Sequence, residues 1–397
     1  MVNNPRYRWK HMIGPRDLRP PYEGHWYPYS TNGCGIVDFM DFCEAAGFEY
    51  IPTFHMGESP QDMADFIEYA KGAADTAWGQ ARVRDGHPAP YQLKYLQLGN
   101  EERVDLEFAE RFTALAKAIW AADPEITLVV GDFVYSKPIV DPIQFSGAAS
   151  GITSLAGQQR ILQVAKAANR EVWFDLHDWT DAAELDESFQ AMLTFQEALT
   201  KLADGAPFQV VVFEFNANSH GQRRALGNAL AINAIERNGR IPIAISANGL
   251  QPDGQNDNGW DQGLLFFNPA KTWLQPPGHV TRMISQHFQP RLVQCEVSPV
   301  KQPLDINAKL SDDGGTLVMQ VVNASAQQVE AVVELTGFAP RAPAAKVTEL
   351  AAPLETVNTA DATYTVTPQS HDWMHEWKHG KTKAAFAPHS VTIIRWQ

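Results

Sequence analysis

Residues 93–101 read Leu-Lys-Tyr-Leu-Gln-Leu-Gly-Asn-Glu, and residues 208–216 read Phe-Gln-Val-Val-Val-Phe-Glu-Phe-Asn. Each stretch is a short, mainly apolar run that closes on polar residues, Asn100 and Glu101 in the first and Glu214 and Asn216 in the second. Unbroken apolar runs, as opposed to alternating ones, are typical of strands that are covered on both faces of a parallel sheet. The two stretches therefore predict parallel strands that carry polar groups at their carboxyl ends.

The same pattern recurs between about residues 36 and 288, where short apolar runs alternate with helical periodicity. Strands are predicted over 49–54, 93–98, 127–130, 172–176, 208–213 and 241–246. Helices are predicted over 60–74, 106–122, 158–168, 188–203, 223–236 and 280–287. This alternation predicts a parallel sheet with crossover helices. Because nearly every strand is followed by polar residues, a (β/α) barrel is favoured over a doubly wound sheet, which has them at one switch point.

The expected architecture is an α/β fold of two domains. Residues 1–289 are predicted to form a TIM-type (β/α)8 barrel, but only six strand–helix units can be counted, so the first two strands of the barrel are expected to lie outside this chain. Alternating patterns such as 317–322 and 329–335 begin after about residue 290. They predict an antiparallel β-sandwich over residues 290–397.

Composition excludes several classes of partner. A net charge of −14 over 397 residues argues against nucleic acid, because phosphate binding needs clustered Lys and Arg. No apolar run is long enough to span a membrane, and no signal peptide is seen in these residues. Cys34, Cys43 and Cys295 fit no metal spacing and are expected to be free thiols. The compartment is unknown, and a homo-oligomer is left open.

Glu101 and Glu214 are the candidate catalytic pair. Glycoside cleavage needs one carboxyl group that protonates the leaving oxygen and a second that attacks the sugar or activates water. A separation of about 5–5.5 Å between the carboxyl groups is expected for a retaining enzyme, and about 6.5–9.5 Å for an inverting one. Each glutamate alone could instead cap a helix or pair with a cation. Aromatic residues in apparent loops, at 26–29, 179 and 260, could stack on sugar rings or pack in the core.

The motifs around these residues resemble those of clan A glycoside hydrolases, most closely family 51. The resemblance rests on Leu98-Gly99-Asn100-Glu101, on Phe213-Glu214-Phe215-Asn216, on Asp175-Leu176-His177-Asp178-Trp179 and on the N-terminal stretch 6–20. It covers nearly the whole chain and implies a barrel with a C-terminal sandwich. It also implies an α-L-arabinofuranosidase, a retaining enzyme that releases terminal arabinofuranosyl residues from plant cell-wall polysaccharides.

The resemblance also implies roles for individual residues. Glu101 would be the general acid/base and Glu214 the nucleophile. The substrate-binding residues would be Asn100 at the sugar 2-hydroxyl, His177 beside the nucleophile, Trp179 as a wall of the pocket, and Asn216 and Gln251 as weaker candidates. No metal and no organic cofactor is implied, since two carboxylates suffice.

Two departures from the family pattern keep other functions open. The arginine and the acidic residue that the first two barrel strands supply to the pocket cannot be assigned here. Phe215 also stands where the family has Trp. The alternatives are an endo-acting β-glucanase or xylanase of the same clan, and a non-catalytic carbohydrate-binding protein.

Overall fold

A computed structural model describes residues 4–24, 29–180, 182–254, 261–298 and 303–397. Its α-helices are α1 (Ile36–Ala46), α2 (Pro60–Lys71), α3 (Ala77–Arg84), α4 (Leu106–Ala122), α5 (Ala156–Ala167), α6 (Glu187–Leu202), α7 (Gln222–Asn238) and α8 (Pro276–Gln286). The strands up to residue 274 are β1 (Thr53–Phe54), β2 (Tyr95–Leu98), β3 (Thr127–Gly131), β4 (Val172–Trp179), β5 (Phe208–Asn216), β6 (Ala244–Ser246), β7 (Leu250–Pro252), β8 (Leu265–Phe267) and β9 (Thr272–Leu274). The later strands are β10 (Arg291–Val293), β11 (Leu304–Leu310), β12 (Leu317–Asn323), β13 (Val329–Glu334), β14 (Ala344–Ala351), β15 (Gln369–Met374), β16 (Lys381–Phe386) and β17 (Ser390–Trp396).

The chain divides into two compact units, and the divisions fall inside strand β4, helix α6 and strand β5. The first unit is Met1–His177 with Gln190–Val211, and the second is Asp178–Phe189 with Val212–Gln397. These units are not the sequence domains expected at 1–289 and 290–397, and that boundary stays a prediction. Among the described helices, none has the length and apolar character needed to cross a membrane.

The first unit is built on a parallel sheet. Strand β2 pairs in parallel with β1 and with β3, and β3 pairs in parallel with β4. The start of β5 follows β4 in the sheet order. Apolar side chains such as Leu96, Leu98, Leu128 and Phe174 are fully buried in these strands. Because the strands are parallel, their carboxyl ends open at one edge, where the polar residues of the sequence motifs lie.

The second unit contains the end of strand β5, strand β6 and an antiparallel β-sandwich. Strand β5 pairs in parallel with β6. One sheet of the sandwich has the order β10-β11-β12-β17-β14-β15, and β13 pairs with β16 beside it. Helices α7 and α8 cover one face of the six-stranded sheet. On that face Leu226 and Ile284 pack against Val318, Leu350 and Ile393. The helices thus share one apolar core with the sandwich.

The six predicted strands are all present, and helix α4 has the predicted bounds. The prediction was wrong about where two strands end. The structure continues β4 through Trp179 and β5 through Asn216, so His177 and Glu214 lie within strands instead of after them. The extension is tolerated because the buried polar side chains in these strands have hydrogen-bond partners of their own. Helices α1 and α3 and the small sheet β7–β9 were not predicted.

Candidate active site

The turn after β2 holds Glu101 on an unusual backbone. Gly99 and Glu101 have φ angles of 79° and 55°, in the left-handed region that glycine adopts readily and glutamate rarely does. The turn is fixed on both sides, because the Gly99 N–H donates to Phe54 O and the Glu102 N–H donates to Gly131 O, each at 2.9 Å. Left-handed backbone at a non-glycine residue costs about 1–3 kcal/mol and concentrates at functional sites.

Gly131, the last residue of β3, lies directly beneath this turn. A Cβ atom at position 131 would overlap the carbonyl group of Gly99 and the amide nitrogen of Asn100. All of these neighbours are backbone atoms, which have no side-chain freedom with which to yield. The close approach of β3 therefore fixes the position of the backbone at Asn100 and Glu101.

Glu101 forms a three-residue chain with His177 and Asp175. His177 Nδ1 lies 2.9 Å from Glu101 Oε1, and His177 Nε2 lies 3.2 Å from Asp175 Oδ2. The side chains of His177 and Asp175 are fully buried, whereas that of Glu101 is 26% exposed. Asp175 Oδ2 also accepts a hydrogen bond from Gln97 Nε2 at 3.1 Å. The structure thus brings Asn100, Glu101 and His177 together at one sheet edge. Of the hydrogen-bonded residues Glu101, His177 and Asp175, only Glu101 is open to solvent.

A second buried carboxyl group, Asp132, follows β3. Its Oδ1 accepts from the Tyr135 hydroxyl at 3.1 Å, and its Oδ2 accepts from Gln158 Nε2 at 2.8 Å. Burial raises the pKa of Asp132 to about 7, although these hydrogen bonds oppose the shift and nearby Asp175 adds to it. Asp132 thus supports the sheet edge through its hydrogen bonds with Tyr135 and Gln158.

In the second unit, Glu214 stands where the pairing of β5 with β6 is irregular. Val212 pairs with Ala244 and Phe215 with Ser246, so the register shifts across the two residues between them. Such irregularities turn a side chain away from the regular alternation of a strand and are frequent beside active sites. Glu214 is half-buried, between the buried residues Val212 and Phe215.

Asn216 and Gln251 belong to one buried amide network of the second unit. Gln262 Nε2 donates to Asn216 Oδ1 at 3.2 Å, and Gln262 Oε1 accepts from the Ala217 N–H at 2.8 Å. Gln251 Oε1 accepts the N–H groups of Gln262 and Gly263 at 3.1 and 2.7 Å. The amide oxygens of Gln251 and Asn216 are therefore engaged within the protein, and contact of either residue with a sugar stays a prediction.

Asp261 joins this network to His220. Gln251 Nε2 donates to Asp261 Oδ1 at 2.9 Å, and His220 Nδ1 lies 3.1 Å from the same oxygen. Burial alone would raise the pKa of Asp261, but the hydrogen bonds from His220 and Gln251 bring it below its ordinary value. Asp261 is therefore a carboxylate at neutral pH.

Arg224, at the start of α7, is fully buried beneath the ends of β5 and β6. Its guanidinium group donates to Phe215 O and Ser246 Oγ at 3.0 Å each, and to the carbonyl oxygens of Ala247 and Gln262. One side chain thus satisfies several backbone carbonyl groups that a strand end leaves open. Arg224 holds the backbone that follows Glu214.

Trp179 ends β4 and is half-buried. Its backbone N–H donates a hydrogen bond to Asp178 Oδ1 at 2.8 Å. Burial raises the pKa of Asp178 to about 7, although the hydrogen bond that the Ser188 hydroxyl donates to it opposes this shift. Of the other aromatic candidates, Tyr29 is exposed, and residues 26–28 and 260 lie outside the described residues. Stacking of Trp179 on a sugar ring stays a prediction.

Neither glutamate serves as a helix cap, which was one alternative role. Helix α4 is capped by the Asp105 side chain, and the residue before α7 is Gly221. The sequence motifs gave no role to Asp175, Asp132, Gln262 or Arg224, although Asp175 is part of one motif. A signal existed for Asp175, because residues 175 and 177 lie on the same face of a strand by their spacing of two.

Comparison with known proteins agrees with the motifs. A model of the α-L-arabinofuranosidase 1 domain matches residues 2–192, and a model of the α-L-arabinofuranosidase C-terminal domain matches residues 214–390. The chain is 23% identical to α-L-arabinofuranosidase 2 of Arabidopsis thaliana over 84% of its own length and 47% of that protein. It is 24% identical to α-L-arabinofuranosidase C of Emericella nidulans over 98% of its own length and 83% of that protein. The chain therefore spans about half the length of the Arabidopsis relative.

Solved structures agree with the predicted fold class. The arabinose complex of the α-L-arabinofuranosidase from Thermotoga maritima matches with a TM-score of 0.78 at 21% identity, over 99% of this chain and 85% of that one. The expected fold class, a (β/α)-barrel type with a C-terminal β-sandwich, is confirmed. Two consecutive models of one enzyme family match the two parts of the chain in order. The chain therefore belongs to the α-L-arabinofuranosidase family.

Proposed function

We propose that this chain is a retaining glycoside hydrolase that releases terminal α-L-arabinofuranosyl residues from arabinose-containing polysaccharides of the plant cell wall. Membership of the arabinofuranosidase family supports the substrate class. Within the chain, the proposal rests on the backbone at two glutamates. Glu101 occupies a left-handed turn and Glu214 a register shift, each at the carboxyl end of a strand of the parallel sheet. The left-handed backbone at Glu101 costs about 1–3 kcal/mol and is of the kind that concentrates at functional sites.

In the first step, Glu101 gives its carboxyl proton to the glycosidic oxygen as the bond from that oxygen to C1 breaks. The bonding pair leaves with the oxygen, and a carboxylate oxygen of Glu214 forms a bond to C1. In the second step, a water molecule loses a proton to Glu101 while its oxygen attacks C1, and the bond to Glu214 breaks. Arabinose keeps its anomeric configuration, and both glutamates return to their starting states.

The remaining site residues would bind the sugar. Asn100, buried directly before Glu101, would donate a hydrogen bond to the 2-hydroxyl, a contact of the kind that strengthens in the transition state. Trp179 would present an apolar ring to one face of the sugar. Asn216 and Gln251 would act mainly through the network with Gln262, since their amide oxygens accept hydrogen bonds from it.

A panel of aryl glycosides tests this function. The arabinofuranoside is expected to be hydrolysed, and Glu214→Ala is expected to abolish turnover. Azide should partly restore it by forming an arabinofuranosyl azide of inverted configuration, since the small anion replaces the missing carboxylate. Preference for cellobiosides or xylobiosides would indicate the endo-acting alternative. A folded sample that hydrolyses no glycoside would contradict the proposal and favour a non-catalytic carbohydrate-binding protein.

A further inference from the structure

We infer that Gln275, in the second unit, is a positioning residue that ties the backbone following Glu214 to a loop of the β-sandwich. The inference rests on the proposed function, because it concerns how the nucleophile is held in place. Gln275 directly precedes helix α8, and its side chain does not cap that helix. The residue is 1% exposed, so its amide group needs hydrogen-bond partners inside the protein.

The side chain of Gln275 binds the backbone of Asn358, in the loop that follows β14. Gln275 Oε1 accepts a hydrogen bond from the Asn358 N–H at 2.9 Å, and Gln275 Nε2 donates to Asn358 O at 2.7 Å. Asn358 Nδ2 donates in return to Leu274 O at 2.8 Å. Asn358 is itself fixed within the sandwich, because its Nδ2 and Oδ1 pair with the carbonyl and N–H groups of Val366 at 2.8 Å each. The segment before α8 is thus joined to the sandwich loop through buried hydrogen bonds.

The backbone of Gln275 extends this connection towards the candidate nucleophile. Its N–H donates to Leu264 O at 2.9 Å. Gln262 lies in the same segment as Leu264, and its side chain holds the backbone that follows Glu214, because Gln262 Oε1 accepts from the Ala217 N–H at 2.8 Å. A continuous series of contacts therefore runs from the sandwich loop to the end of strand β5.

The same loop also holds helix α7, a second element that contacts the backbone after Glu214. The N–H groups of Gln222 and Arg223, at the start of α7, donate to carbonyl groups of this loop at 3.0 and 2.8 Å. The first N–H groups of a helix have no partner within the helix, so the loop caps α7. Arg224 follows directly and donates to Phe215 O at 3.0 Å. Two series of contacts from one loop thus meet at residues 215–217.

Gln251 and Arg224 hold the segment around Gln262 as well. Gln251 Oε1 accepts the N–H groups of Gln262 and Gly263, and Arg224 donates to Gln262 O. Gln275 adds the connection to the sandwich, so its removal loosens the segment and leaves these contacts in place. A displacement of about 1 Å at a reacting group can cost about 100-fold in rate, so a small change here has a measurable effect.

The substitution Gln275→Met tests the inference. Methionine has nearly the length and volume of glutamine, but it forms neither hydrogen bond with the Asn358 backbone. With a dinitrophenyl α-L-arabinofuranoside, we expect kcat/KM to fall by about 10-fold to 100-fold, because Glu214 is misplaced for attack on C1.

The same substitution is then made in Glu214→Ala with azide supplied. Azide attacks C1 from solution and does not depend on where a carboxylate is held. Gln275→Met should therefore lower the azide-dependent rate by less than about 3-fold. A partly unfolded sample, or a site that binds the sugar less well, would lower the rates in both backgrounds by the same factor. Equal losses in the two backgrounds would overturn the inference, as would an unchanged kcat/KM in the presence of Glu214.

Asn323→Leu is the matched control. Asn323 is also a fully buried amide residue of the sandwich, and its Nδ2 donates to three carbonyl groups within that domain. The control should leave kcat/KM of the folded protein unchanged in both backgrounds. A loss in Asn323→Leu that azide bypasses, like that expected for Gln275→Met, would show that any damage to the sandwich has this effect and would overturn the assignment to Gln275.

A second variant covers the case in which Gln275→Met cannot be purified in folded form. Asn358→Ser removes the donor to Leu274 O and should give the same selective loss, and equal losses in both backgrounds would again overturn the inference. The proposed function fails in a different way. In that case the protein with unchanged sequence would not hydrolyse the dinitrophenyl arabinofuranoside, so the two failures are distinguishable.

Discussion

His177 Nδ1 lies 2.9 Å from Glu101 Oε1, so the imidazole contacts the residue proposed as the acid/base. The family resemblance implies that His177 also lies beside the nucleophile, and this stays a prediction. A position in a strand fixes the face on which a side chain lies, but its hydrogen-bond partner depends on the neighbouring strands. The contact assigns His177 a role in the chemistry of Glu101.

Glu101→Gln should reduce kcat/KM for arabinobiose by about 100-fold to 10,000-fold, because general acid catalysis contributes that range. The amide cannot give up a proton, and it preserves the shape of the turn. Steady-state kinetics with arabinobiose measure the effect. Glu102→Gln is the matched control, since Glu102 follows directly and should retain activity within about 3-fold. A larger loss in Glu102→Gln than in Glu101→Gln would contradict the assignment of the acid.

Hydrolysis should proceed with retention of the anomeric configuration. Proton NMR of the first product formed from an aryl α-L-arabinofuranoside should show the α-anomer before mutarotation mixes the two forms. Retention follows because two displacements at C1, by Glu214 and then by water, invert it twice. Initial appearance of the β-anomer would show a single displacement, and it would assign Glu214 to the activation of water.

Arg224→Ala should lower the free energy of unfolding by about 3–5 kcal/mol, the range for breaking a buried charged network. The loss leaves the carbonyl groups of Ala247 and Gln262 without the Arg224 donor, whereas that of Phe215 keeps the hydrogen bond from the Ala247 N–H. Urea unfolding followed by circular dichroism measures it.

The adjacent Arg223 is the matched control for this prediction. Its side chain is 40% exposed and pairs with the exposed Glu355, so Arg223→Ala should cost less than about 1 kcal/mol. Similar losses in the two variants would show that the buried network does not stabilise the strand ends.

Asp132 should make the protein less stable as the pH rises towards 7. Its pKa is raised to about 7 in the folded state, chiefly by burial, from an ordinary value of 3.8. Between pH 3.8 and about 7 the folded state binds the Asp132 proton more tightly than the unfolded state does. The stabilisation is therefore complete below the unfolded-state pKa of 3.8, and it is lost as the pH rises through the folded-state pKa of about 7. Asp132→Asn should remove this dependence.

The measurement is the difference in unfolding free energy between Asp132→Asn and the wild type at pH 5 and pH 8. We expect that difference to move in favour of the variant at pH 8, by as much as about 1.4 kcal/mol for each pH unit within the window. Asp178, whose pKa burial also raises to about 7, will keep part of the dependence in the variant. Asp361→Asn, an exposed position, is the control and should show no such change.

The sequence predicted the parts of the fold whose signal is local. Helix α4 was predicted to the residue, because its apolar residues recur at helical spacing; in the structure the Asp105 side chain caps it. Strands β2 and β5 were found from their apolar runs. The small sheet β7–β9 was missed, since strands of three residues are too short to show periodicity. Gln251 lies in that sheet, so its amide network could not be foreseen.

For the candidate site, too, only the features that are local in the sequence could be predicted. Glu101 and Glu214 were identified from their place after apolar runs, a feature of the chain alone. The partners of Asp175, Asp132 and Arg224 come from distant segments, such as Gln97 and Gln158, and only the folded structure shows them. Backbone irregularity at Glu101 and Glu214 likewise has no signature in one sequence.

The bare Cα of Gly131 limits how this protein could be re-engineered. Any larger residue there would push the Gly99–Asn100 peptide outward and move the Glu101 carboxyl group with it. A saturation library at position 131 should therefore yield glycine alone among active clones, although the residue has no side chain with which to touch a sugar. Directed evolution of substrate choice would do better to leave this strand end unchanged and vary the surrounding loops.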